Sequence, residues 1–276
     1  MENKKSGTIY VLLAAILFSI GGLCIKMVPW SALAINGARN LISVIIIGFY
    51  LKATHHKLVI NPAVIFGALC MTGTTTLYTL ANKMTTAANT IVLQFTAPVF
   101  VIFLTWLFFK KRPGRKDVIT CLIVFVGILC FFIDGLSTGN TLGDILAVIS
   151  GVSYAGVFMM NSFEKSDSLS SIFFGQALSA LIGIWFVFGE TDFGLMSMSG
   201  IILLGVFQLA LAYIFMAKGL ENTPAVTASL TAAIEPILNP ILVAVFWHEL
   251  ITPLSLVGAV IVIISIVVYN VSKVKE

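Results

Sequence analysis

Ten apolar stretches follow one another with only short polar breaks: roughly 8–28, 32–51, 61–82, 86–109, 117–134, 142–161, 169–188, 197–217, 224–247 and 254–271. A lipid hydrocarbon core of about 30 Å takes about 20 helical residues to cross. The stretches use most of the 276 residues, so one membrane domain spanning 1–276 is expected. The charge agrees. Only 10% of the residues are charged, against about 25% in a soluble chain. A globular cytosolic enzyme, a disordered chain and a nucleic-acid-binding protein are excluded together. Barrel strands would alternate polar and apolar residues, whereas these stretches are apolar on nearly all sides. Only helices satisfy their own backbone in lipid one segment at a time. The expected fold class is therefore all-α integral membrane, with ten transmembrane helices and the lipid bilayer as a partner. Lys4 and Lys5 imitate the start of a secretion signal, but no convincing small-residue cleavage site follows, so a retained first helix is expected. Cys24, Cys70, Cys121 and Cys130 all lie in apolar stretches without metal-type spacing, so neither a disulfide framework, a metal nor any other cofactor is expected.

Orientation follows from the basic residues. With the N-terminus inside, 13 of the 16 Lys and Arg fall in inner segments, among them the loop 110–116. Lys26 and Lys83 alone fall at outer ends, and Arg39 lies within the second stretch. The positive-inside bias then puts both termini in the cytoplasm of a multi-pass protein of the cytoplasmic membrane. Attraction to anionic headgroups accounts for the basic loop.

An internal repeat is visible. The fourth stretch has Ala87 and, eleven residues on, Pro98; the ninth has Ala225 and Pro236, a shift of 138. "LLAAILFSIGGLCIKM" in the first stretch loosely matches "ILAVISGVSYAGVFMM" in the sixth. The repeats are placed at 8–134 and 142–271. Five is odd, so the second copy enters the membrane from the other side. Inverted repeats are a recurring architecture of secondary transporters, whose solute sites lie near the midplane where broken helices meet.

The ten stretches, Arg39 early in the second, Ala97-Pro98, Glu235-Pro236, Glu249 closing the ninth and "GDILAVISGVSYAGVF" at 143–158 together resemble the EamA-type drug/metabolite transporter superfamily. The resemblance covers almost the whole chain. It implies two inverted five-helix repeats around a central cavity lined by the first, third, fourth, sixth, eighth and ninth helices, moving small organic solutes. Many members also close the fourth helix with an acid; here Lys111 stands there.

Polar residues at bilayer depth are costly and are the natural site candidates. Glu235, eleven residues into the ninth stretch, is the most exceptional, as a binder of an amine or a carrier of a proton. Its alternative is a structural acid bonded to a neighbouring helix. It extends the series Thr223, Thr227, Thr231, Glu235, Asn239, a slanted polar strip beside Pro236 and Pro240. Back-bonding within the helix is the competing reading for the threonines, above all for Thr223 and Thr227. Thr86, Thr90 and Gln94 form a counterpart in the fourth stretch, with Asn89 beside it; both amides are set against plain interhelical bonding. Tyr78 and Asn82 share one helix face, and Tyr213 occupies a similar place in the second half. These tyrosines either stack on a flat or cationic solute or mark helix contacts. The expected solute-binding set is Tyr78, Asn82, Asn89, Gln94, Tyr213, Thr231, Glu235 and Asn239, with no catalytic or metal-binding residue. Arg39 is read as holding the bundle through a carbonyl or carboxylate. Lys26 and Lys83 are read as snorkelling, and His55, His56 and His248 as solvated. Gly21, Gly22, Gly151 and Gly156 are read as close-packing positions.

The function expected is secondary active transport of a small organic metabolite (an amino acid, amine or similar) by alternating access, in the export direction, as a monomer or homodimer. A flippase for a lipid-linked sugar or amphipathic drug is the alternative on the same scaffold. No GxxxxGK[ST] loop is present for ATP drive, and no HExxH or GxSxG supports an intramembrane enzyme.

Overall fold

The computed structural model describes residues 2–25, 27–136, 140–247 and 252–274. Lys26, His248, Glu249 and Lys275 lie outside the described residues, as do the side chains of Lys4, Lys5 and Lys83. Among the described residues, ten helices are long and apolar enough to cross a membrane: α1 (Ser6–Ile25), α2 (Ala32–Ala53), α3 (Pro62–Asn82), α4 (Ala88–Phe109), α5 (Arg115–Gly135), α6 (Thr141–Phe158), α7 (Ser168–Val187), α8 (Leu195–Asn222), α9 (Ala225–Phe246) and α10 (Pro253–Lys273). Short polar side chains start several of them by accepting from an orphan backbone N–H. Ser31 caps α2, Asn61 caps α3 ahead of Pro62, and Asp167 caps α7 through the Ser170 N–H at 3.0 Å. Large apolar residues face outward, Phe188 at 80% and Leu195 at 86% exposed, because lipid tails take the place of water there.

The packing reads the same when every helix number is moved by five. α1 packs on α8 as α6 packs on α3, and α9 crosses α1 as α4 crosses α6. α2 with α7 and α5 with α10 are pairs that map onto themselves. This is a pseudo-twofold axis relating two inverted five-helix repeats. Each self-mapped pair crosses glycine on glycine, Gly37 on Gly183 and Gly127 on Gly258; a Cβ at Gly37, Gly183 or Gly258 would run into the other helix's backbone, and one at Gly127 into the Val262 side chain. With ten crossings, the two ends of the described chain share one face, here the terminal face.

The symmetry extends to the defects. α4 stops being helical at Phe95–Thr96 and α9 at Ala233–Ile234. A proline two residues beyond each break has no N–H to donate. The bonds that bridge the two breaks correspond at the same shift of 138. Thr96 N donates to Leu93 O at 3.3 Å and Ile234 N to Thr231 O at 3.5 Å. The helices restart when the carbonyl of Thr96 accepts from Val99 at 2.9 Å and that of Ile234 from Ile237 at 3.1 Å.

Candidate functional site

The broken helices meet at a cavity of about 360 Å³ between the repeats. Its floor lies at the level of the breaks, with Gln94, Tyr154 and Glu235. Its walls rise toward the face opposite the termini, past Asn239 and Val243 of α9 to Ile25, Asn82 and Phe132 at the far ends of α1, α3 and α5.

Glu235 opens the restarted half of α9. A helix N-terminus carries partial positive charge, a favourable place for a carboxylate. Tyr154 of α6 donates its hydroxyl to Glu235 Oε2 at 3.3 Å. Asn239 follows one turn on, against α1 at Gly22, where any Cβ would collide with Asn239 Oδ1. The glycine is thus what lets α9 present its amide to the cavity. Tyr78 and Tyr213 stand on the walls, the latter edge-on to Phe18 with ring centres 4.7 Å apart. Both tyrosines lie within electrostatic reach of Glu235 and Arg39.

Six of the eight expected binding residues line this cavity: Tyr78, Asn82, Gln94, Tyr213, Glu235 and Asn239. The other two do not. Asn89 is buried near the start of α4 and donates to Thr85 and Asp144, each at 3.3 Å, tying α4 to α6. Thr231 donates to the Thr227 carbonyl at 2.8 Å and to Asn270 of α10 at 3.2 Å. The strip expected from Thr223 to Asn239 is divided by the break: Thr227 and Thr231 turn toward α10, Thr223 lies against Gly7 of α1, and Glu235 and Asn239 turn toward the cavity. Within the threonine half it is Thr231 that back-bonds, while Thr227 meets the Tyr269 hydroxyl at 3.3 Å.

Arg39 has the carbonyl form of its expected pairing, through side-chain amide oxygens. It lines the cavity and is only 6% exposed. No carboxylate among the described residues comes within 4.0 Å of it. It donates to Asn36 Oδ1 at 3.1 Å and Gln208 Oε1 at 3.4 Å, and its buried Nε has no partner among the described residues. Gln208 and Tyr154 were not singled out from the sequence. Gln208 is an amide in an otherwise apolar run, on a π-helical turn at Leu204–Leu211; such turns mark functional sites often. Tyr154 sits between Gly151 and Gly156, a spacing that reads as packing alone.

Loop contacts hold both faces. On the terminal face, His56 meets Asp167 at 2.9 Å and Asn61 donates to the Lys165 carbonyl at 2.7 Å. Partial burial pushes the Asp167 carboxyl up, but hydrogen bonds from Ser170 and His56 outweigh it and hold the group below its ordinary value. His56 is therefore not simply solvated. On the far face, Trp30 donates to the Asp192 carbonyl at 2.6 Å, and Ser31 N to Glu190 Oε1 at 2.8 Å. Lys218 lies over the rings of Tyr50 and Tyr10, 5.5 and 5.8 Å from their centres. Among the described residues no group of three His, Cys, Asp or Glu could hold a metal.

The model of the EamA-like transporter family matches the chain twice, over residues 5–133 and 141–271. The Bacillus subtilis protein named uncharacterized transporter YwfM is 25% identical, covering 98% of this chain and 95% of its own length. An uncharacterized transporter of Clostridium kluyveri is 26% identical over 98% of this chain and 94% of itself. One solved crystal structure superposes with a TM-score of 0.83 at 16% identity, covering 97% of this chain and 98% of its own, a likeness of fold. With both halves matched, this multi-pass membrane chain belongs to the EamA-like transporter family.

Proposed function

We propose that this transporter carries a small polar organic solute, an amino acid, amine or similar, across the cytoplasmic membrane by alternating access. Glu235 holds the solute's cationic group or a proton. The set that binds is Tyr78, Asn82, Gln94, Tyr213, Glu235 and Asn239, joined by Tyr154; Asn89 and Thr231 shape the wall behind it. With the basic loops in the cytoplasm, both termini are inside and the cavity faces out, the state in which an exporter releases its solute.

One observation carries this reading. The cavity mouth is lined by Asn82, Ala88 and Val243. Their counterparts at the shift of 138 are Leu220, Val226 and Thr105, and these line a separate cleft of about 610 Å³ on the terminal face. Between the two lies an aromatic layer: Tyr154 packs on Phe158 at 4.6 Å and stands perpendicular to Phe95 at 6.1 Å. Two inverted halves that exchange conformations would open the cleft and close the mouth with the same set of contacts. Counterflow in liposomes against a panel of amino acids, amines, nucleosides and sugars tests it. Saturable exchange of at least one solute, lost in Glu235→Gln, is expected. A panel with no exchange by well-folded protein rejects the reading.

A further inference from the structure

Arg39 poses an energetic problem that the fold does not solve. A buried charge is tolerated when a counter-charge and hydrogen bonds compensate it. Asn36 and Gln208 supply hydrogen bonds but no charge. The Nε donor is buried without a partner among the described residues, and other atoms of the side chain line the cavity. A guanidinium held by two neutral amides still lacks the carboxylate that would compensate its charge, and a carboxylate is the partner its planar N–H edge suits best.

The same cavity holds a group of the opposite kind, a carboxyl that is negative when ionised. Glu235 accepts from Tyr154, and no ammonium or guanidinium among the described residues comes within 4.0 Å of it. The two groups belong to different repeats, α2 and α9, and face one space without pairing with each other. Much of the remaining wall toward the mouth is apolar: Phe18, Ile25, Ile91, Phe132, Leu209 and Val243. A volume of about 360 Å³ is at the small end of ligand cavities, about 300–1,000 Å³.

We propose that the solute is a zwitterionic amino acid with an apolar side chain, its carboxylate received by Arg39 and its ammonium group by Glu235. This rests on the reading of the cavity as the transport site. An amine alone would leave Arg39 uncompensated, and an acid alone would leave Glu235 so. The zwitterion closes both and lays its side chain on the apolar wall. It also bridges the two repeats, so binding bears on how they pack.

Two matched series test this on the purified full-length protein: leucine, isoamylamine and 4-methylpentanoate, then phenylalanine, phenethylamine and 3-phenylpropionate. Each trio keeps one apolar body and varies only the charges. Calorimetric binding should be tightest for a zwitterion, with its amine and acid at least about 10-fold weaker. Arg39→Gln, which keeps hydrogen bonding to Asn36 and Gln208, should lose the preference for the zwitterion over its amine without weakening the amine. Glu235→Gln should do the converse with the acid. Equal binding of amine and zwitterion by the wild type overturns the proposal even if Arg39→Gln fails to fold. So does an unchanged preference in a folded Arg39→Gln. Counterflow separates this from the transport reading. A zwitterion that binds but is never moved sinks transport and leaves the pairing intact, whereas transport of amines or sugars indifferent to Arg39 does the reverse.

Discussion

At the centre of the bundle α4 and α9 break in the same register, yet α4 carries Ala97 where α9 carries Glu235. The hydrogen bonds made by Thr96 and Ile234 correspond, although Phe95 N reaches the Ile91 carbonyl where Ala233 N reaches that of Leu230, and each restart has a proline at its second residue. Backbone symmetry and chemical asymmetry therefore serve different ends. The first gives two arrangements of similar energy, the requirement for a cavity that changes sides. The second puts the carboxyl group on one repeat only, so that in the proposed reading the solute or proton meets a single acid and a directional partner, Tyr154. Ala97 is fully buried and lies off the cavity wall, so this position serves packing, while Gln94, three residues earlier, is the polar side chain that α4 presents to the cavity.

Moving the acid is the most severe way to break this comparison. Glu235→Gln should abolish transport in liposomes while leaving the protein monodisperse and helical. The swap Ala97→Glu with Glu235→Ala should not restore it, because a carboxylate at 97 would be buried without a donor. Recovered transport would show that the two breaks are interchangeable. A smaller effect is expected from Tyr154→Phe, which deletes the hydroxyl on Glu235 and keeps the ring between Phe95 and Phe158. A hydrogen bond to a charged group corresponds to a loss of about 10-fold in solute affinity. Binding within twofold of wild type would remove Tyr154 from the site.

Gly22→Ala sharpens the α1–α9 side. Overpacking at Asn239 should cost about 1–3 kcal/mol, read as a lower melting temperature in detergent, and adding Asn239→Ala should recover most of it. The least effect belongs far from the breaks, at the terminal-face contact of His56 and Asp167. A carboxyl held below its ordinary value stabilises the fold above that value, and the contribution disappears as pH falls through the lowered one. Asp167→Asn should therefore depress the melting temperature slightly at neutral pH and make no difference in strong acid. A deficit that persists in acid would assign the effect to the lost α7 cap instead.

Apolar run length carries the ten spans, and the proline spacing carries the correspondence of α4 and α9, so both are readable from residues alone. Glu235, Gln94 and Tyr78 are readable as well, since a polar group at midspan needs a wet or bonded environment wherever it points. The direction each residue faces is another matter. A continuous helix would keep Thr231 and Glu235 on one slanted strip, but the break between them turns the threonine to Asn270. Arg39 needed knowledge of its neighbours: the sequence leaves open whether its partner is a carbonyl or a carboxylate, and among the described residues only amide carbonyls are in reach. Gln208 depends on a widened turn that no propensity marks.

Single-cysteine variants Ala88→Cys and Val226→Cys, in a background without Cys24, Cys70, Cys121 and Cys130, give the most direct test. Each would be probed with a membrane-impermeant maleimide from either side, before and during solute exchange. At rest, position 88 should react from the face opposite the termini and position 226 should be shielded from that face. Exchange should lower labelling at 88 and raise it at 226 from the terminal side. Simultaneous rise at both positions, or labelling of both from one face, would contradict two inverted halves exchanging places around one cavity.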